Sequence, residues 1–187
     1  MHKRLGTIAL GLGLAGALVA LPAAGYASTS MSTATLNANI LAGSVGARTI
    51  QSVTPGAMTS ALGSPTLSTT LAVVVDEAAV SGDANGWTVT VQSSPFTDSG
   101  TDTIVASALS DSANTAIPVC VGCTETVTGP ATPGTLDAAR TLISTTGELN
   151  SVLYTGTYTS NSSLVLTPPN GTVAANYHAT LTVTLTQ

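Results

Sequence analysis

The sequence predicts an all-β protein, an antiparallel Ig-like or Greek-key β-sandwich with one irregular insertion, and three observations lead there. Apolar and polar residues alternate with period two along much of the chain. The clearest case is the end, where Tyr177, Ala179, Leu181, Val183 and Leu185 interleave with His178, Thr180, Thr182, Thr184 and Thr186. The apolar residues are dispersed among Thr, Ser and Gly rather than gathered into long spans, a composition typical of an exported β domain. The three strands expected toward the C-terminus follow one another at short spacing with no helix between them, which favours antiparallel sheets over parallel βαβ units.

The N-terminus reads as a secretory signal. Lys3 and Arg4 supply positive charge, residues 5–21 are apolar and uncharged, and Pro22 ends the run. Gly25 and Ala27 are small residues three and one before a cut, so cleavage is expected after Ala27, with residues 1–27 as signal peptide and 28–187 as a single domain. The expected location is therefore secreted, extracellular or cell-surface, with no membrane segment after cleavage. About 160 residues suffice for one domain with a real core.

Residues 35–40 and 48–53 predict short strands separated by a turn at Gly43-Ser44-Val45-Gly46, and residues 56–65 predict a loop. Residues 71–75 form an apolar run too short for a core helix; three consecutive valines predict a strand buried on both sides that stops at Asp76-Glu77. The turn formers of residues 81–86 lead straight into Gly86-Trp87-Thr88-Val89-Thr90-Val91, so the two strands are expected to form a long-looped hairpin. Trp87, Val89 and Val91 share one face of the second strand. Residues 95–100 turn the chain again, and residues 103–107 and 123–128 predict strands flanking the irregular insertion. Leu136, Ala139, Leu142 and Ile143 would also fit one helix face, so periodicity alone leaves this segment open; residues 140–144 favour a strand, because Thr141, Ile143, Thr145 and Thr146 are β-branched. Residues 152–159, 163–167 and 177–186 predict three more, separated by Asn161-Ser162 and by Pro168-Pro169-Asn170-Gly171.

Little chemistry is available. After cleavage only Arg48 and Arg140 oppose nine carboxylates, a formal charge of about −7. A nucleic-acid partner needs clustered Lys and Arg, and none are present. Cys120 and Cys123 are expected to form a disulfide in an oxidising exterior, where so short a loop contributes at most ~2 kcal/mol. A redox Cys-x-x-Cys normally opens a helix, whereas Val119 and Val121 favour strand, and two thiols with a distant His178 do not make a zinc set. No catalytic residue, cofactor or metal site is expected. His178, the one histidine left after cleavage, falls on the polar side of the last strand, and neither Gly-x-Ser-x-Gly nor His-Glu-x-x-His occurs. Asp76 and Glu77 are adjacent on a strand and so point to opposite faces, a poor arrangement for paired acid and base. Asp83, Asp98 and Asp102 are loop carboxylates without an ordered calcium-ligand spacing. Trp87, the single indole, either fills the core or offers a platform on which a sugar ring stacks. Its alternation with Val89 and Val91 favours burial, in which case the indole N–H needs an acceptor.

Two segments together resemble the WxL-domain surface proteins of Gram-positive bacteria. The first is Gly86-Trp87-Thr88-Val89-Thr90-Val91 followed by Phe96; the second is residues 177–185, preceded by Leu164-Val165-Leu166-Thr167-Pro168. The likeness runs from Leu71 to the C-terminus. Val89 stands where the family's first motif has leucine, and Val183 where its second has tryptophan. The motif residues, with a role in the core or in binding, are Gly86, Trp87, Val89, Tyr177, Leu181, Val183 and Leu185. What the resemblance implies is a secreted, non-enzymatic β domain held non-covalently on peptidoglycan or on another cell-surface protein. The alternative is a subunit of an extracellular fibre or biofilm matrix, self-associating by β-strand addition, suggested by Thr-rich strands, low charge and terminal segments 28–38 and 177–187 expected to be exposed.

Overall fold

The computed structural model describes residues 33–42, 44–45, 48–60, 66–81, 86–111, 119–121, 127–129, 132–145, 153–173 and 175–187. The signal peptide, Asp83 and Cys123 lie outside the described residues. Only the backbone of Cys120 is described, paired with Tyr158, so the expected disulfide lies outside them too.

Among the described residues the chain forms β1 (Thr33–Ala42), β2 (Ser44–Val45), β3 (Arg48–Pro55), β4 (Thr59–Ser60), β5 (Leu67–Ser81), β6 (Thr88–Ser93), β7 (Phe96–Thr97) and β8 (Thr103–Ile104). A 3-10 turn (Ala106–Ala108) follows, then β9 (Leu109–Asp111), β10 (Val119–Val121), β11 (Val127–Thr128), β12 (Gly134–Thr135), β13 (Arg140–Thr145), β14 (Leu153–Leu166) and β15 (Asn176–Thr186). One sheet has the order β11-β13-β6-β15-β7-β8, with β1 also on β15; the other has β12-β9-β14-β5-β3-β2, with β10 on β14 and β4 on β5. The two pack face to face as an all-β sandwich around a single apolar core.

The last strand forms as its alternation dictates: Tyr177, Ala179, Leu181, Val183 and Leu185 are all buried, and His178 and Thr180 are exposed. β13 covers the expected residues. A register shift between Thr141 and Ile143 turns both Leu142 and Ile143 inward, which explains two consecutive buried residues on one strand.

Five expectations change. β5 does not stop at Asp76-Glu77 and is not buried on both sides; Leu71, Val73, Val75 and Glu77 face inward while Ala72, Val74 and Asp76 are half-buried outside. The strand continues because Glu77 keeps the inward phase and finds partners there. β5 and β6 are not a hairpin: they lie in opposite sheets, each turning its apolar face to the same core. Asn161-Ser162 does not divide β14, which pairs with β5 from Leu153 to Leu166; Asn161 points out, and the buried Ser162 is small enough to sit among apolar neighbours opposite Leu71. Short strands also replace three expected irregular stretches, with β2 inside the first turn, β4 inside the 56–65 loop and β7 after Pro95, while residues 103–107 yield only β8 before the 3-10 turn. Finally, β1 pairs with β15 in parallel, Thr33 opposite Asn176 through Ile40 opposite Val183, so one sheet is mixed and the described parts of the two terminal segments are paired with each other.

Inside the sandwich lies a charged pair. Arg48 and Glu77 are register partners on β3 and β5, both buried, with Arg48 Nε donating to Glu77 Oε1 at 2.6 Å. Tyr158 on β14 donates its hydroxyl to Glu77 Oε2 at 2.6 Å. Removing one member of a buried pair strands the other in low dielectric, whereas replacing both by apolar groups is far less costly. Arg48→Met is therefore expected to lower the unfolding free energy by about 3–5 kcal/mol, and Arg48→Met with Glu77→Leu to recover most of the loss. Urea denaturation of the three proteins measures this; an equal loss in the double variant would contradict it.

Candidate functional site

The motif residues form a continuous interior unit. Gly86 has φ of +68°, and a Cβ there would lie 2.1 Å from the Thr145 carbonyl oxygen, so only glycine allows the chain to approach β13 so closely. That approach lets the Trp87 N–H donate to Thr145 Oγ1 at 3.1 Å while the Thr145 N–H donates to the Trp87 carbonyl at 3.0 Å. The indole then enters the core, 1% exposed, and meets the Tyr158 ring edge to face with centroids 4.9 Å apart. Its Nε1–H has no acceptor among the described residues, contrary to the requirement drawn from the sequence.

The second motif segment lies directly beside the first. β15 pairs with β6 so that Val183 is opposite Val91, and Leu185 opposite Val89. Tyr177 is buried and its hydroxyl donates to the Val173 carbonyl at 3.1 Å; burial, then the charges of Asp102 and Asp98, push that hydroxyl above its ordinary pKa. Val183 is fully buried, so its position belongs to the core and not to an exterior platform.

Of the other candidates, Asp76 accepts a hydrogen bond from Thr157 Oγ1 on the outer side of β5, while Glu77 faces in. Asp98 Oδ1 accepts from the Gly100 and Asp102 N–H groups and shapes a turn. His178 is exposed at a shallow depression of about 470 Å³ with Asn37, Ser94, Pro95, Thr97 and Thr103. Among the described residues no three of His, Cys, Asp and Glu converge as metal ligands.

A second ion pair went unnoticed in the sequence. Arg140 at the start of β13 donates from Nε to Oδ2 of the fully buried Asp111 at the end of β9, 3.3 Å away, joining the two sheets at their rim. Gly134, opposite Asp111 on β12, leaves the space the guanidinium occupies; a Cβ there would lie 2.3 Å from an Arg140 terminal nitrogen. Arg140 also borders a half-open trough of about 480 Å³ with Thr132, Thr135, Ala138 and Thr141. The signal was present in the composition: residues 28–187 hold two arginines against nine carboxylates, so each arginine is a candidate partner for a held carboxylate.

No protein-family model matches this chain, and no curated protein matches it.

Two outcomes follow from these local geometries. Gly86→Ala is expected to cost about 3 kcal/mol or more, since it adds a backbone collision to positive-φ strain. Gly171→Ala, with φ of +86° but open space around its Cβ, costs about 1–2 kcal/mol, and denaturant midpoints compare the two. Burial pushes the Asp111 carboxyl above its ordinary pKa despite the opposing hydrogen bond and charge of Arg140. The folded state thus holds this proton more tightly than the unfolded chain. The group's stabilising contribution is complete below the unfolded value of ~4 and is lost as pH rises through the raised folded value. Relative to Asp111→Asn, which does not titrate, the wild type should lose stability as pH climbs from ~4 toward neutrality. Parallel stability profiles for the two proteins would contradict this.

Proposed function

We propose that this chain is a secreted, non-enzymatic surface protein that associates non-covalently with cell-wall peptidoglycan or with a partner wall protein. The observation that carries the reading is the register of the two WxL-like segments. Some ninety residues apart in sequence, they lie side by side, with Val89 and Val91 of the first opposite Leu185 and Val183 of the second. The resemblance therefore rests on one structural unit rather than on two scattered matches.

The same unit has its motif side chains inside, so recognition falls to the outer surface. There the strands present threonines, and the Arg140 trough adds a guanidinium among Thr132, Thr135 and Thr141. Hydroxyls and a guanidinium suit the hydroxyls, amides and carboxylates of wall glycan and peptide. The competing reading, a fibre or matrix subunit that adds a free terminal strand to its neighbour, has less support in this geometry, because β1 and β15 are paired with each other.

Sedimentation of the exported domain with two wall preparations tests the proposal. Protein in the pellet with peptidoglycan stripped of protein supports direct binding. Pelleting only with walls that retain their proteins supports a partner protein. Protein left wholly in the supernatant with both overturns the proposal.

A further inference from the structure

We propose that β1 is an exchangeable arm that occupies the β15 edge of its own chain in the monomer and the same edge of a second copy of this chain in an assembly. The inference is independent of wall binding and rests on how β1 is held.

Topology sets β1 apart. It ends at Ala42 in one sheet, and β2 begins at Ser44 in the other; β2, β3, β4 and β5 all belong to that second sheet. β1 is thus the one strand that the described chain before β6 sends to the sheet of β15. Among the described strands it pairs with β15, and beyond that ladder the sole bridge is Ala34 with Met58.

Its side-chain grip is slight. Ala34 and Leu36 are buried, Ala38 only partly, and Ile40 is 40% exposed, so the apolar hold weakens from Leu36 to Ile40. Most of the attachment is the backbone ladder from Thr33–Asn176 to Ala42–Thr184. A second copy offers the identical ladder and the identical small side chains. Exchange therefore keeps the β1–β15 ladder, and concentration decides between the closed and the exchanged forms, the general condition for swapping an element between protomers.

The vacated edge also requires a strand. β15 is central, with Ala179, Leu181 and Val183 buried along the stretch that faces β1. Without β1 that stretch would present unpaired N–H and C=O groups beside apolar side chains, a template for strand pairing. Reciprocal exchange between two copies gives a closed dimer.

Cysteine cross-linking separates the forms. Asn37 and Thr180 are register partners and both are exposed, and neighbouring strands bring Cα atoms within disulfide reach. In a Cys120→Ser, Cys123→Ser background, Asn37→Cys and Thr180→Cys proteins are mixed, concentrated, oxidised and run on a non-reducing gel. The expected result is a cross-linked dimer joining the two variants, increasing with concentration. The protein carrying both substitutions should instead close within one chain at low concentration and stay monomeric thereafter. Internal closure without any cross-link between the mixed variants would overturn the proposal, as would failure of the doubly substituted protein to close. Light scattering on the chain with its native cysteines gives a second reading: growth of larger species with concentration supports exchange, and a strict monomer throughout contradicts it.

Discussion

The contact on which the rest of this fold depends is the edge-to-face meeting of Trp87 and Tyr158. Trp87 enters from the strand pair β6 and β13 of one sheet, and Tyr158 stands on β14 of the other. Behind Tyr158 the connection continues through Glu77 on β5 to Arg48 on β3, so four residues tie one sheet to three adjacent strands of its partner. An aromatic pair of this kind contributes about 0.5–1.5 kcal/mol beyond the area it buries. Its larger effect is on register. A slip of one residue in β5 or β3 would send Glu77 or Arg48 to the outer face and leave the other charge buried, a cost of several kcal/mol. The buried pair is thus a weak source of net stability and a strong selector of one strand alignment.

That arrangement explains which parts of the fold could be read from the residues. Alternation alone locates β15 and the inward face of Trp87, Val89 and Val91, because each buries one face against the core, whereas β13 is legible only through its β-branched residues. Alternation also ran through Glu77, in phase with Leu71, Val73 and Val75, and through Arg48, in phase with Ile50. A charged residue in phase with buried neighbours is an interior member of its strand and not its stop. Asn161-Ser162 misled for a related reason: turn preference is local, and a strand already paired along its length with β5 overrides it.

Sheet membership was less legible than strand position. A turn-rich connector followed by an alternating strand is compatible with a hairpin and with a crossing between layers, since both bury the same residues. The choice was made by long-range pairing, β6 with β15 and β13, and β5 with β14 and β3. The parallel seat of β1 is of the same kind. The Asp111–Arg140 pair was likewise hidden, because it joins the ends of short strands whose register no pattern encodes. What the sequence did mark, through Gly86 and Trp87, proves to be the interior of the molecule. The outer surface, including the Thr-lined trough at Arg140, carries no such mark in the sequence.

The central claim, that Trp87 is an interior anchor and not a ligand platform, is open to direct measurement because it is the chain's single tryptophan. Its fluorescence should emit at the blue end of the tryptophan range, resist quenching by acrylamide, and remain unchanged when peptidoglycan is added. Emission resembling free tryptophan in water, ready quenching, or protection from the quencher on adding peptidoglycan would contradict the account.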